Sequence, residues 1–153
     1  MKQTLYIDLD GVIVDVERYI NETYKPEYIK SNGIGTLIDN HVDIFHHSKP
    51  VPGAIAAFRQ LSQKYEVYIL STAPWDNPES WTAKRLWVEK HLGSEAYKRL
   101  ILSHNKGLLR GSYLIDDRIA NGVAEFEGTH IHFGSTDTPD WETVMQLFEV
   151  IEE

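Results

Sequence analysis

Thr4-Leu5-Tyr6-Ile7-Asp8-Leu9-Asp10-Gly11 is an apolar run that stops on two aspartates and a glycine. Such a short run, bounded by turn formers, suits a strand buried on both faces, although periodicity alone does not separate it from buried helix. At a strand end the side chains at i and i+2 point to the same side, so Asp8 and Asp10 face one space. Gly11 permits the tight turn that brings main-chain amides close to whatever occupies that space.

Four later runs have the same form. Glu66–Leu70 ends in Ser71, Thr72, Ala73 and Pro74, and Tyr113–Ile115 ends in Asp116 and Asp117; Leu100–Leu102 and Thr129–Phe133 complete the set. Helical patterns separate them. Pro52-Gly53 opens one that ends near Tyr65. Ser80 is the expected cap of a second, running to Leu92, with Trp81, Leu86, Trp87, Val88 and His91 at helical spacing and Gly93 as its stop. Asp140 is the expected cap of a third, with Val144, Leu147, Phe148 and Ile151 as its buried stripe. Strands alternating with helices predict an α/β fold with a Rossmann-like parallel sheet. Residues 16–49 break the alternation: a helix over Glu17–Tyr24 is followed by Pro26, Gly33 and Gly35 before Phe45. They read as a small helical cap inserted after the first strand, within one domain spanning 1–153.

In open parallel sheets ligands bind outside the carboxyl ends of the strands. There the chain delivers Asp8 and Asp10, Thr72, Lys106, and the pair Asp116-Asp117, from four separate segments. Carboxylates gathered in one crevice repel one another unless a hard cation neutralises them, and oxygen-only ligands favour Mg²⁺. Asp8 can then attack a phosphorus atom, Asp10 can act as general acid and base, and Thr72 and Lys106 can hold the phosphoryl oxygens.

Asp8-Leu9-Asp10-Gly11-Val12, Tyr68-Ile69-Leu70-Ser71-Thr72, Lys106 and Ile115-Asp116-Asp117 resemble, in this order, motifs I to IV of the haloacid-dehalogenase superfamily. Ser71-Thr72-Ala73-Pro74, Lys84–Gly93 and Ile101–Lys106 resemble the 5'(3')-deoxyribonucleotidases within it. The resemblance implies a three-layer fold and a Mg²⁺-dependent phosphomonoester hydrolase acting through an aspartyl-phosphate. Its expected substrate is a small phosphorylated one, a deoxyribonucleoside monophosphate. Asp8 would be the nucleophile and Asp10 the acid/base. Mg²⁺ would be held by Asp8, the Asp10 main-chain carbonyl and Asp117, with Asp116 in support. Thr72, rather than Ser71, would join Lys106 on the phosphate. Three features depart from the animal enzymes of the family: the insertion looks shorter, Val16 stands where they carry an aromatic residue, and His104 stands where an arginine is expected. Phe45 and Tyr19 in the insertion, and Trp75 beside Pro74, are the candidate substrate contacts.

Composition narrows the alternatives. A formal net charge of −8 argues against a nucleic-acid polymer as partner, since phosphate backbones are bound by excess Lys and Arg. The absence of cysteine excludes disulfides and thiolate chemistry. No apolar run approaches a membrane span or a signal peptide, so a cytoplasmic monomer or homodimer with no membrane contact is expected. Each motif also has a plain reading: Asp116-Asp117 as the cap of a helix from Arg118, Lys106 as a surface lysine, His46-His47 and His130-x-His132 as surface or core histidines, and the acid-rich end at Glu149, Glu152 and Glu153 as a solvated helix terminus. Three rival functions stay open: a phosphatase of sugar phosphates or other metabolites, a phospho-accepting signalling domain, and a non-catalytic cation-binding module. Motif order speaks against the second, because its acceptor aspartate would lie on a later strand than the acidic pair. Asp10 speaks against the third, because passive binding needs no acid/base.

Overall fold

All five apolar runs become strands of one parallel sheet in a computed structural model of the chain, which describes residues 1–152; Glu153 lies outside the described residues. The strands are β1 (Thr4–Ile7), β2 (Glu66–Ser71), β3 (Leu100–Leu102), β4 (Tyr113–Asp116) and β5 (Thr129–His132), in the spatial order β3-β2-β1-β4-β5. Registers such as Ile7↔Ile69 and Ile7↔Ile115 set the ends of β1, β2 and β4 level. The winding direction reverses beside β1, so the switch point lies between the strands that carry Asp8 and Asp116.

Alternation along the strands makes two cores. Leu5, Ile7, Val67, Ile69 and Ile115 belong to a large cluster, whereas Tyr6, Leu70 and Leu114 face a smaller one. The large cluster is covered by α5 (Ala54–Lys64), α6 (Pro78–Leu92) and α7 (Trp141–Ile151), numbered after the four helices of residues 16–47. The smaller is closed by Val123 and Phe126, beside a one-turn 3₁₀ segment at Val123–Glu125. The third layer is thus reduced to short turns. Residues 16–47 form four short helices, α1 (Val16–Thr23), α2 (Pro26–Asn32), α3 (Ile34–Asn40) and α4 (Asp43–His47). No helix among the described residues is long and apolar enough to cross a membrane.

Several local expectations need correcting. α6 starts two residues before Ser80, because Pro78 pre-sets the helical φ at the first turn. Ser80 is buried, and its hydroxyl donates to the Asn77 carbonyl. Leu86 is exposed; the buried stripe of α6 is Ser80, Ala83, Lys84, Trp87, Val88 and Leu92. No helix starts at Arg118; instead Asp116 Oδ1 accepts from the Arg118 amide and shapes a turn. Asp140 does cap α7, through a reciprocal pair of bonds with Thr143. Glu152 is tied back to α5, accepting from Lys64 and from the Tyr65 hydroxyl.

Candidate active site

Past β1 the chain folds into a tight loop. The Leu9 carbonyl accepts from the amides of Val12, Ile13 and Val14, and Gly11 turns at φ +79°. A Cβ on Gly11 would overlap Asp117 Oδ2, so a glycine here lets the fourth segment close on the first. On the other side, the Lys106 amide donates to the Asn121 carbonyl, and Gly122, at φ +85°, leaves no room for a side chain against Asn105. These close approaches draw Asp8, Asp10, Thr72, Lys106 and Asp116 into the lining of one crevice, joined by Arg118 and Asn121.

Lys106 is the hub. Its Nζ donates to Asp8 Oδ1 at 2.9 Å and to Asp116 Oδ2 at 2.6 Å, with all three side chains buried. Burial alone would lower the lysine, but the two carboxylates outweigh it and hold the ammonium above its usual value. Asp8, Asp116 and Asp117 each offer an oxygen within 4.8 Å of the others. Burial pushes the Asp8 and Asp10 carboxyls up, against the opposing pull of Lys106 and Lys84 respectively. Burial, then the charge and hydrogen bond of Asp8, push Asp117 up to about 8.

A set of carboxylates pushed toward protonation is what a bound cation would relieve. Asp117 Oδ1 is buried without a hydrogen-bond partner, so an oxygen ligand stands uncommitted beside Asp8. The donor set is all oxygen, which fits a hard divalent ion. Asp116 differs: one oxygen holds Lys106 and the other the Arg118 amide, so it braces the cluster.

Not every expected contact lies in the crevice. Phe45 is fully buried in α4, and its ring lies against the Lys84 ammonium, 4.9 Å from the centroid; it is a core residue, not a substrate contact. Tyr19 donates its hydroxyl to Asp43 Oδ2 at 2.9 Å and stacks on His47, which commits it to contacts among the first four helices. Thr72 lines the crevice, but its hydroxyl donates to the Ser103 carbonyl, a bond it must exchange to reach a phosphate. Trp75 is 77% exposed, edge-on to Trp81 and His104, beside a recess shared with Thr36, Asp39 and Asn40 of α3. His130 and His132 stack on one another with Nε2 atoms 3.0 Å from the carbonyls of Asp116 and Asp117, so they brace the acidic turn.

Lys84 is the residue that sequence reasoning missed. It sits in the middle of the buried stripe of α6, and its Nζ donates to Asp10 Oδ2 at 2.9 Å. Its signal was legible: a lysine at i+4 from Ser80 and i−4 from Val88, on a face otherwise apolar or small, must find a charge partner inside.

The family model for 5' nucleotidase, deoxy (pyrimidine), cytosolic type C protein matches residues 2–146. The chain belongs to this nucleotidase family. A Vibrio phage KVP40 protein, provisionally named a 5'(3')-deoxyribonucleotidase, is 54% identical over 144 residues, covering 94% of this chain and 83% of its own. The 5'(3')-deoxyribonucleotidase of Bacillus subtilis strain 168 is 31% identical over 150 residues, covering 87% and 86%. Among solved structures, Bacillus subtilis YfnB, provisionally described as a HAD-hydrolase and bound to magnesium, superposes with a TM-score of 0.63 at 10% identity over 99% of each chain. The haloacid dehalogenase-like hydrolase SP0104 of Streptococcus pneumoniae gives 0.59 at 12% identity, covering 99% of this chain and 97% of its own. At such identities these two speak for the fold alone, which is that of the haloacid-dehalogenase-like hydrolases. As a member of the 5'(3')-deoxyribonucleotidase family, the protein is a hydrolase of phosphoric monoesters.

Proposed function

We propose that this nucleotidase hydrolyses deoxyribonucleoside monophosphates through an aspartyl-phosphate on Asp8, with Mg²⁺ as cofactor. The observation that carries the reading is the meeting of Asp8, Asp10 and Lys106 in one crevice at the switch point of the sheet, with a carboxylate oxygen of Asp117 within 4.8 Å of one on Asp8. Asp8 and Asp117 would hold the ion, with the Asp10 main-chain carbonyl as a further ligand and Asp116 in support. When bound, the ion neutralises the carboxylates and draws charge from a phosphoryl oxygen.

Asp8 then attacks phosphorus: the Asp8 oxygen–phosphorus bond forms as the ester oxygen–phosphorus bond breaks. Asp10 delivers its proton to the departing oxygen, which leaves as the nucleoside hydroxyl. In the second half, Asp10 takes a proton from water as that water's oxygen attacks phosphorus, releasing phosphate and restoring the Asp8 carboxylate. Lys106 balances charge on the phosphoryl group throughout, and Thr72 donates to it after exchanging its bond to Ser103. Helices α1 to α4 serve as the cap. Trp75, exposed beside the recess it shares with α3, offers a flat apolar face on which a nucleobase can lie.

Phosphate release from a panel of deoxynucleotides, ribonucleotides and sugar phosphates tests the reading. Release from deoxynucleotides that disappears with EDTA supports it in full. Metal-dependent release from sugar phosphates alone would keep the mechanism and discard the nucleotide.

Cation binding also predicts a pH dependence of stability. A carboxyl whose folded value is raised favours the fold below its unfolded value of about 4, and that favour is lost as pH rises through the folded value. For Asp117 the window closes at about 8. In EDTA, the melting temperature of wild type relative to Asp117→Asn should fall steadily across that window. Added Mg²⁺ should restore wild type at the upper end and do little at the lower. A difference that Mg²⁺ leaves unchanged at the upper end would remove Asp117 from the ion site.

A further inference from the structure

Lys84 has no contact with solvent, so its ammonium is affordable only if every proton is matched. They are matched. Nζ donates to Asp10 Oδ2 at 2.9 Å, to Ser71 Oγ at 2.8 Å and to the Thr72 carbonyl at 2.7 Å, and the Phe45 ring covers it at 4.9 Å. An ammonium has three donors, so nothing is left over for a phosphate, and a direct substrate role is excluded. On the other side of the pair, Asp10 Oδ2 is tied to Lys84 while Oδ1 has no partner. The two carboxyl oxygens of Asp10 are therefore not equivalent.

We infer that Lys84 is the positioning residue of the acid/base: it locks Asp10 Oδ2 so that Oδ1 is the atom that gives and takes the proton. The inference rests on the acid/base reading of Asp10 above. It also ties that geometry to neighbouring elements, since Ser71 and Thr72 end β2 and Phe45 comes from α4. A shift of α4 would move the ring that covers the ammonium.

A leaving group that needs no proton separates this role from a merely structural one. 4-Nitrophenyl phosphate expels a stable phenolate, whereas a deoxynucleoside 5'-monophosphate expels an alkoxide that must be protonated. In Lys84→Met, kcat/KM for the nucleotide should fall on the order of 10²-fold, and that for the aryl ester by less than about tenfold. Because kcat/KM covers the steps up to departure of the leaving group, the ratio of the two also cancels any loss of folded enzyme. Asp10→Asn should show the same selectivity, and Lys84→Met added to Asp10→Asn should cost nothing more. Equal losses for both esters in Lys84→Met, with Asp10→Asn still selective, would overturn this inference alone. Asp10→Asn without selectivity would overturn the acid/base reading and the inference with it.

Discussion

Asp8→Asn is expected to lower turnover of every ester the protein hydrolyses by roughly 10⁴-fold or more, the scale on which enzymes lose a covalent nucleophile. The substitution is a clean one here. Asparagine keeps an oxygen that can accept from Lys106, which lies 2.9 Å from Asp8 Oδ1. It also removes one of three mutually close carboxylates. Without Mg²⁺ the variant should therefore melt at or above the wild-type temperature, so lost activity will not be lost fold. Acid-quenched wild type mixed with ³²P-labelled substrate should retain label, and Asp8→Asn should retain none. Turnover within about a hundredfold of wild type would mean that another group attacks phosphorus, and the covalent route would fall.

What could be read without coordinates follows physical lines. The first four strands were legible because they are short apolar runs ended by Asp or Ser, and three of these endings also mark the crevice: Asp8 after β1, Thr72 just past β2, and Asp116 with Asp117 at β4. Lys106 was legible through its motif and its distance from Asp116. Orientation was not. Phe45, Tyr19 and Trp75 are aromatic residues in or near the insertion, and composition cannot say that the first fills the core, the second binds Asp43 and the third stands in solvent. The start of α6 lies earlier than Ser80 suggests, because Ser80 is a good cap by type while Pro78 supplies a stronger signal of position. Lys84 is hidden for the opposite reason: lysines are exposed so often that one lysine within an apolar stripe reads as a surface residue. The thin third layer was equally hidden, since one-turn 3₁₀ segments leave almost no periodicity to read.

Lys106→Met carries the second large effect, and it divides into two parts that move differently with pH. The ammonium is the partner of Asp8 and of Asp116, and all three side chains are almost out of solvent. Removing one member of a buried pair costs about 3–5 kcal/mol, because the charge left behind has neither water nor partner. Here two carboxylates are left, beside a third in Asp117. Asp8, already pushed up by burial, can escape by taking up a proton, so its folded value rises further and stability is lost as pH climbs above the ordinary carboxylate range. Urea unfolding of Lys106→Met in EDTA should thus show a small deficit near pH 4 and the full deficit near neutrality, with each midpoint compared to wild type. Mg²⁺ should recover much of that stability by neutralising the same oxygens. It should not recover turnover, because the ion does not replace the hydrogen-bond donor that Lys106 would offer the phosphoryl group: loss of one fixed donor to such charge costs roughly 10²–10³-fold in kcat. Stability that returns with Mg²⁺ while activity stays down is the pattern expected of a lysine that both assembles the acidic cluster and serves the phosphate. If Mg²⁺ restored both, Lys106 would be a structural counter-ion only, and the charge on the phosphoryl group would have to be met by Arg118, the other cation lining the crevice.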